Sequence, residues 1–410
     1  MNKQSLWIAI LGMRVLSVQA ENIASTQECV RLDAALPRES RNGASFSSRT
    51  HSSRPDARPA PAVSIAVWGD SLTSARDFMQ AAMNSAGMPK ESAVPSFIQA
   101  GMAVPGLQLP LKAGCASKGW QVAYALKEKR SQAGFSKGLL SMRSRTLGDT
   151  IALDFRFPSL STRVKQLALL YEKPTPDGSL LLGVSIDGGV ENFVSLSRSS
   201  GSVLQIQPDV PMTTLRIRLV SGEITVHGFA PTYQDAPAAI VDSFSVPSGL
   251  LRSWSSTGER FFSAAPEVAL QYSLIVVQYG TNEGASPIFS RQNYVSYVDA
   301  NLRRLRQFYP RSRCVLIGPP DRGVVGNAGP LDPLKYANVH RQIAQVQKQV
   351  GLEHRCEFWD WQAAMGGPGS ALRWATMKPP QMQPDLTHLT AKGYQVSGHM
   401  FAQAFPLNKN

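Results

Sequence analysis

The sequence has little that would place it in a membrane or around a structural metal ion. Beyond the first 20 residues, no stretch approaches the ~20 consecutive apolar residues needed to cross a bilayer. There are only four cysteines in 410 residues, and none forms a CxxC or Cys/His cluster, so a zinc site has little support. Acidic residues are also scarce, 29 against 42 basic residues, which leaves a formal net charge of +13.

This positive charge predicts association with polyanions. Nucleic acid is not the expected partner, because the sequence has no recognised nucleic-acid-binding motif and part of the charge lies in an Arg/Ser/Pro-rich segment, residues 38–62. The protein is instead expected to meet anionic cell-wall polymers, and peripheral association with anionic envelope surfaces is compatible with its charge.

The first 20 residues resemble a secretory signal. Lys3 gives a basic start, an apolar stretch follows from Leu6 to Val18 with Arg14 as an interruption, and small residues end at Ala20. We therefore expect a signal peptide at 1–20 and an exported, periplasmic protein. In that oxidising compartment the four cysteines can pair in any of three ways. They are Cys29, Cys115, Cys314 and Cys356, of which the last two lie in apolar runs typical of small core residues.

Composition and periodicity divide the rest of the chain. Residues 21–62 are expected to be a flexible tether because Arg, Ser and Pro dominate their second half. Residues 63–100 and 236–410 show apolar strands alternating with amphipathic helices, which predicts an α/β unit with parallel strands. Residues 101–235 contain short runs with period-two alternation between turn signals, which predicts an antiparallel β-sandwich inserted into the α/β unit.

Polar residues follow the apolar runs at the points where chemistry would be placed. "VSIAVWGDS" ends in Ser71, "VVQYGTNE" contains Asn282, "FSVPSGLL" contains Gly249, and "PDLTH" places Asp385 three residues before His388. Each residue also has an ordinary structural interpretation. Ser71 can cap the next helix, Asn282 and Asp385 can stabilise turns, Gly249 can satisfy a loop dihedral, and a lone histidine is more often structural. Their order along the chain favours a joint, catalytic role.

With these motifs the chain resembles the SGNH (GDSL-like) hydrolase family. Residues 69–72 (GDSL) match its first block, residues 280–283 (GTNE) its third and residues 385–388 (DLTH) its last. Glu283 departs from the Asp found in many members, and the second-block residue is either Ser248 or Gly249. The resemblance implies a flavodoxin-like three-layer α/β hydrolase domain, here with an inserted antiparallel, jelly-roll-like β-sandwich.

A narrower resemblance is carried by the tether, the inserted sandwich, "YGTNE" and "WDWQAAMGG". These features look like the peptidoglycan O-acetylesterases of Gram-negative bacteria, in which the inserted module is similar to a carbohydrate-binding domain. The aromatic residues Phe358, Trp359 and Trp361 of this stretch are expected to be core rather than a sugar-stacking platform.

The resemblance assigns a role to each residue. Ser71 is the nucleophile, His388 the base and Asp385 the group that orients the imidazole. The oxyanion donors are the backbone N–H groups of Ser71 and Gly249 and the side-chain amide of Asn282. This chemistry requires no metal and no organic cofactor. The expected reaction is hydrolysis of O-acetyl esters on peptidoglycan muramoyl residues.

Three alternatives remain open at this stage. A secreted acetylesterase acting on another acetylated glycan, such as xylan, would use the same catalytic residues. A glycan-binding adaptor with a lapsed site would lack one of the serine, asparagine or histidine residues, and none is missing. An acetyl transferase would form the same acyl-enzyme but pass the acetyl group to a sugar hydroxyl.

Overall fold

The computed structural model describes most of the chain after residue 44. The described residues are 45–51, 63–88, 92–126, 134–159, 161–173, 178–197, 202–258, 272–325 and 331–407. The predicted signal peptide, most of the predicted tether and Cys29 lie outside these ranges.

The described residues form 18 strands and eight α-helices. The strands are β1 (Phe46–His51), β2 (Val63–Gly69), β3 (Ala93–Val94), β4 (Ile98–Gln99), β5 (Ala113–Ala116), β6 (Gln121–Tyr124), β7 (Leu140–Ser144), β8 (Thr150–Asp154), β9 (Val164–Glu172), β10 (Leu181–Ile186), β11 (Asn192–Ser195), β12 (Val203–Pro208), β13 (Thr214–Ser221), β14 (Ile224–Tyr233), β15 (Ala239–Ser243), β16 (Leu274–Gln278), β17 (Arg313–Ile317) and β18 (Glu357–Trp359). The helices are α1 (Ser71–Ser74), α2 (Asp77–Ser85), α3 (Thr281–Gly284), α4 (Arg291–Phe308), α5 (Ala337–Glu353), α6 (Trp361–Ala364), α7 (Ser370–Thr376) and α8 (Ala391–Ala404), with a 3₁₀ helix at Leu251–Ser256. Among the described helices, none combines the length and the apolar character needed to span a bilayer.

A six-stranded sheet forms the centre of the α/β part, in the order β18-β17-β16-β2-β15-β3. Its strands pair in parallel, and Gln278 at the end of β16 lies opposite Gly69 at the end of β2. Residues that follow these two strands therefore emerge side by side at one edge of the sheet.

Helices cover both faces of this sheet. Val67 of β2 belongs to a hydrophobic cluster with Phe78 of α2 and Phe401 of α8. The next residue, Trp68, points to the opposite face and belongs to a cluster with Val298 of α4 and Ile343 of α5. The alternation along one buried strand thus supports two helical layers, and the predicted three-layer α/β architecture is confirmed.

Two antiparallel sheets occupy most of the middle of the chain. One has the order β1-β12-β9-β14-β7-β6, with β4 also paired to β14, and the other has the order β11-β10-β13-β8-β5. Leu169 of β9 and Leu182 of β10, from different sheets, belong to the same hydrophobic cluster. This part of the chain, in which the sequence predicted short alternating strands, does contain antiparallel strands. Their treatment as a separate inserted domain with boundaries at 101 and 235 stays a prediction.

The structure corrects the prediction of a flexible tether for part of residues 21–62. Residues 46–51 form β1, which pairs antiparallel with the whole of β12, from Phe46 opposite Pro208 to His51 opposite Val203. Strand pairing supplies the backbone hydrogen bonds that the Arg- and Ser-rich composition did not predict. The composition of a segment indicates how much apolar surface it can bury. It does not indicate whether the edge of a sheet elsewhere in the fold is available for pairing.

Cys314 and Cys356 form a disulfide. Both are also buried, as their apolar surroundings predicted. The bond joins β17 to the residue preceding β18, the outermost strand of the parallel sheet. Cys115 is disulfide-bonded as well.

Candidate active site

The turn after β2 places Ser71 at the carboxyl edge of the parallel sheet. Asp70, not Ser71, is the N-cap of α1, since the Asp70 carboxylate accepts a hydrogen bond from the Leu72 N–H at 2.9 Å. The capping interpretation of Ser71 is therefore wrong, and its hydroxyl is available for other contacts. Gly69 permits the tight turn, because a Cβ atom there would lie 2.1 Å from Thr73 Oγ1 and 2.8 Å from the Gln278 carbonyl oxygen.

Ser71, His388 and Asp385 form a continuous hydrogen-bonded chain. The Ser71 Oγ atom lies 3.0 Å from His388 Nε2, and His388 Nδ1 lies 2.7 Å from Asp385 Oδ2. If Nδ1 carries the proton and donates to Asp385, Nε2 is free to accept the Ser71 proton. The other Asp385 oxygen accepts the backbone N–H groups of Thr387 at 2.9 Å and His388 at 3.0 Å. Asp385 thus stabilises the local turn and also orients the imidazole.

The pKa shifts of Asp385 and His388 suit a histidine base held beside a carboxylate that stays ionised. Burial alone would raise the pKa of Asp385, but hydrogen bonds from the His388 side chain and from the His388 and Thr387 backbones outweigh it and lower the pKa to about 2. The hydrogen bond to Asp385 in turn raises the pKa of His388, against the opposing effect of its own burial. Asp385 therefore remains ionised while His388 titrates.

Two other histidines have only part of the hydrogen-bonded arrangement found at His388. His354 Nε2 lies 2.8 Å from Asp299 Oδ1, so it pairs with a carboxylate, and no serine is hydrogen-bonded to its ring in the described residues. His399 Nδ1 lies 3.1 Å from Ser85 Oγ, and its other nitrogen contacts an amide instead of an acid. Neither His354 nor His399 joins a serine to a carboxylate as His388 does.

Asn282 lies beside the Ser71 turn, in the helix α3 that follows β16. Its Nδ2 donates one hydrogen bond to the Gly249 carbonyl oxygen at 3.1 Å, and its second N–H has no partner in the described part of the chain. The Ser71 backbone N–H is likewise without an acceptor in those residues. Both donors lie at the sheet edge that carries Ser71.

The structure does not support Gly249 as a third donor. Its N–H donates to the Val246 carbonyl oxygen at 2.8 Å, closing a turn in which Ser248 has a φ of 62°. That hydrogen bond occupies the N–H that the oxyanion prediction needed. Gly249 instead contributes its carbonyl oxygen, which holds the amide of Asn282.

The second half of the chain matches a known family. Residues 229–396 match the sequence model of the GDSL-like Lipase/Acylhydrolase family, a region that contains Asn282, Asp385 and His388 but not Ser71. The resemblance to the GDSL-like hydrolases is confirmed. The prediction of a serine-dependent carboxylic ester hydrolase is confirmed with it. No curated protein sequence matches the chain.

Solved structures with a similar fold were also found. A peptidoglycan O-acetylesterase superposes with a TM-score of 0.61 at 19% identity, over 84% of this chain and 90% of the other. An acetyl xylan esterase from Geobacillus stearothermophilus has 16% identity and a TM-score of 0.31, over 42% and 76%. A carbohydrate esterase family 2 enzyme with a carbohydrate-binding domain, from Corynascus thermopiles (Myceliophthora fergusii), has 11% identity and a TM-score of 0.27, over 70% and 99%. The first likeness shows a shared fold, and the other two are too distant to support an argument.

A polar network under the Ser71 turn was not predicted from the sequence. The Asp70 N–H donates to Gln278 Oε1 at 3.3 Å, and Gln278 Nε2 donates to Asp70 Oδ2 at 3.2 Å. Thr73 Oγ1 also donates to Gln278 Oε1. Burial raises the pKa of Asp70 to about 6, although its hydrogen bonds from Leu72 and Gln278 oppose the shift. Gln278 precedes the Gly-Thr-Asn motif by two residues, and only the pairing of β2 with β16 brings it to Asp70.

Glu283 connects two loops of the site. One of its carboxylate oxygens accepts the Leu251 N–H at 2.7 Å, and the other accepts the Gly280 N–H at 3.0 Å. Burial raises the pKa of Glu283 to about 7, while these backbone donors lower it in part. Glu283 thus joins the end of β16 to the 3₁₀ helix that follows the Gly249 turn.

Arg322 joins the loop of Asn282 to the loop of His388. Its Nε donates to Thr387 Oγ1 at 3.1 Å, and its Nη1 donates to the Thr281 carbonyl oxygen at 3.2 Å. The guanidinium group also lies over the Tyr336 ring, 4.7 Å from its centroid. No sequence motif singled out this arginine, because its partners are distant along the chain.

The aromatic stretch after β17 is core, as predicted. Trp361 is fully buried and Trp359 is 7% exposed, and both belong to the cluster that includes Phe78. Phe358 is partly buried and packs on the opposite cluster. These rings support the sheet below the site.

Proposed function

We propose that the chain is a serine acetylesterase that removes O-acetyl groups from peptidoglycan. The observation that carries the proposal is the chain of short contacts from Ser71 Oγ through His388 to Asp385, at 3.0 and 2.7 Å. This geometry gives a hydroxyl an adjacent base and gives that base a fixed tautomer.

The reaction has two halves. His388 Nε2 takes the Ser71 proton as Oγ attacks the acetyl carbonyl carbon, which forms a tetrahedral oxyanion. Collapse expels the sugar alkoxide, which receives the proton from His388 and leaves an acetyl-Ser71 ester. His388 then deprotonates a water molecule, whose oxygen attacks this ester, so that acetate leaves and Ser71 regains its proton.

The oxyanion needs donors that are already in position. The Ser71 backbone N–H and the free Asn282 Nδ2–H are the two candidates, because neither has an acceptor in the described part of the chain. The bond from Asn282 to the Gly249 carbonyl oxygen fixes the amide orientation, so that its second hydrogen has a defined direction.

The proposed substrate class is supported by less specific observations than the proposed mechanism is. The formal charge of +13 favours an anionic polymer. The fold shared with a peptidoglycan O-acetylesterase is compatible with the same target. We place the protein in the periplasm on the strength of its signal-like first 20 residues, and we assign glycan binding to the antiparallel sheets.

The test is acetate release from purified O-acetylated peptidoglycan, with acetylated xylan assayed in parallel. Ser71→Ala should abolish release. Ser85→Ala is the matched control, because it removes a serine that contacts a histidine, His399, without an acid. Release mainly from xylan would keep the mechanism and overturn the substrate. Undiminished release by Ser71→Ala would overturn the mechanism.

A further inference from the structure

The segment that follows β17, residues 320–323, lies at the edge of the parallel sheet that carries the site. β17 pairs in parallel with β16, as β16 does with β2. Ser71 follows β2 and Asn282 follows β16, so the chain after β17 emerges at the same edge. The proposed mechanism gives no role to this segment.

The first two residues of this segment are anchored on helices. His340 Nδ1, in α5, lies 2.9 Å from the Pro320 carbonyl oxygen. Asp321 is fully buried, and its carboxylate accepts Gln362 Nε2 of α6 at 2.8 Å and the Ala371 N–H of α7 at 2.9 Å. Three helices therefore fix the position from which the next side chain extends.

The last residue of the segment holds the loop of His388. The Gly323 N–H donates to the Leu386 carbonyl oxygen at 3.0 Å. Leu386 lies between Asp385 and His388 and has a φ of 53°, a left-handed conformation that residues with a Cβ rarely adopt. Such a conformation persists where surrounding contacts enforce it, and the Gly323 hydrogen bond is one of them.

Arg322 extends from this fixed segment to both loops of the site. Its Nε donates to Thr387 Oγ1 at 3.1 Å, and its Nη1 donates to the Thr281 carbonyl oxygen at 3.2 Å. Thr387 immediately precedes His388, and Thr281 immediately precedes Asn282. One rigid, planar group thus connects the loop of the base to the loop of the oxyanion donor.

An aromatic stack restrains the guanidinium group. The group lies over the Tyr336 ring, 4.7 Å from its centroid, and that ring stacks on the His340 imidazole with centroids 5.9 Å apart. His340 is fully buried and contacts Pro320, two residues before Arg322. The stack therefore begins and ends on residues 320–323, which limits rotation of the guanidinium.

We propose that Arg322 is a positioning residue of the esterase, which holds the Asn282 amide and the His388 imidazole at the separation that one tetrahedral intermediate requires. This inference rests on the proposed function, because it needs Asn282 as oxyanion donor and His388 as base. A misplacement of about 1 Å can lower a rate roughly 10²-fold. Arg322 thus affects kcat through the two loops, without contacting the substrate.

The test is steady-state hydrolysis by the full chain of 4-nitrophenyl acetate, a small ester without an anionic group. Arg322→Lys keeps the positive charge but ends in a single nitrogen, so it cannot reproduce the two-armed contact. Its kcat should fall roughly 10–10²-fold with little change in KM. Since the charge is kept, the acidic limb of the pH profile should move little. An arginine that instead bound an anionic glycan would cause a loss with peptidoglycan alone.

Arg306→Lys is the matched control. Arg306 is also half-buried and also joins two loops, through the Ser312 carbonyl oxygen at 2.6 Å and the His354 carbonyl oxygen at 2.8 Å. These carbonyls precede β17 and β18, at the opposite edge of the sheet. The control should therefore keep its kcat.

A double variant shows whether Arg322 acts through Asn282. If it does, the loss in Arg322→Lys/Asn282→Ala should be at least about fivefold smaller than the product of the two single losses. Thr387→Val removes the hydroxyl that accepts Arg322 Nε and keeps the size of the side chain. It should also lower kcat, which keeps the test valid if Arg322→Lys folds poorly.

The outcomes separate this inference from the proposed function. Hydrolysis that depends on Ser71 but is undiminished in Arg322→Lys and Thr387→Val would overturn the positioning role and leave the esterase standing. Losses that multiply in the double variant, an equal loss in Arg306→Lys, or a loss confined to peptidoglycan would overturn it too. Undiminished hydrolysis by Ser71→Ala would overturn the proposed function, and the role of Arg322 with it.

Discussion

Replacing Asp385 with asparagine tests how the proposed catalytic histidine is held. The substitution keeps the size of the side chain but removes the negative charge that accepts the His388 Nδ1–H at 2.7 Å. The amide oxygen can still accept a hydrogen bond, but if the NH₂ group faces His388, the imidazole must accept at Nδ1 and carry its proton on Nε2, where it cannot accept the Ser71 proton.

The expected loss follows from the exposure of the pair. In triads with a buried aspartate the same change lowers kcat about 10⁴-fold. A hydrogen bond between charged groups contributes about 1.5–3 kcal/mol, and 1.36 kcal/mol corresponds to a factor of ten in rate. The Asp385 side chain is 50% exposed, so water screens its charge and can accept the Nδ1–H in the variant. We therefore expect kcat/KM to fall by roughly 10–10²-fold, the range to which 1.5–3 kcal/mol corresponds.

The pH dependence of kcat/KM gives a second prediction, because the direction in which its acidic limb should move is defined. In the proposed mechanism neutral His388 is the active form, so activity should fall as the pH decreases through the pKa of His388. That pKa is raised chiefly by the hydrogen bond to Asp385. In Asp385→Asn it returns towards the ordinary value, and the acidic limb of the kcat/KM profile moves to lower pH.

The assay is ester hydrolysis from pH 4 to 9, with Asp299→Asn as the matched control. Asp299 forms a similar contact with His354, at 2.8 Å, so its replacement removes a carboxylate–histidine pair outside the site. The control should keep both the rate and the profile. Full activity in Asp385→Asn, or an acidic limb that moves to higher pH, would refute this account of His388.

Three further predictions concern neighbouring groups. Asn282→Ala should lower kcat by roughly 10²–10³-fold with little change in KM, which steady-state kinetics would show, and an unchanged kcat would remove Asn282 from the oxyanion site. Arg322→Gln should move the acidic limb of kcat/KM to higher pH, because Arg322 lowers the pKa of His388, whereas Arg322→Lys keeps the charge and should move it less. Glu283 has a pKa raised to about 7, so the free energy of unfolding should fall by at most about 3 kcal/mol as the pH rises from 4.5 to 7. Denaturant titrations should show that Glu283→Gln flattens this dependence, and an equal slope in both proteins would contradict it.

The sequence predicted the site residues whose position follows from residue type and local pattern. Ser71 follows the end of one strand, and Asn282 follows the end of a second. Asp385 lies three residues before His388. Each motif places a required functional group just after a strand or in a short turn. Parallel pairing then brings these ends together, since Gly69 lies opposite Gln278. Local pattern and sheet topology were sufficient for these residues.

The parts that sequence missed depend on backbone direction or distant pairing. The Gly249 N–H was assigned to the oxyanion, but a turn hydrogen bond to Val246 directs it elsewhere, and no residue type reports that direction. Arg322 and Gln278 act through partners that only the folded chain brings near. β1 was predicted as tether because its pairing with β12 spans more than 150 residues of sequence.

The position of β2 in the sheet also constrains how the protein folds as it is synthesised. β2 pairs with β15 and β16, with Val63 opposite Ala239 and Ile65 opposite Leu274. Both partner strands are synthesised long after β2. At roughly 5–20 residues per second, the ribosome needs about ten to forty seconds to supply these partners. During that interval a strand with six buried positions has unpaired edges, which favours aggregation. The strand that precedes Ser71 is therefore synthesised early but gains its pairing partners late. We expect the chain to need a chaperone that covers β2 until the second half of the chain has been synthesised.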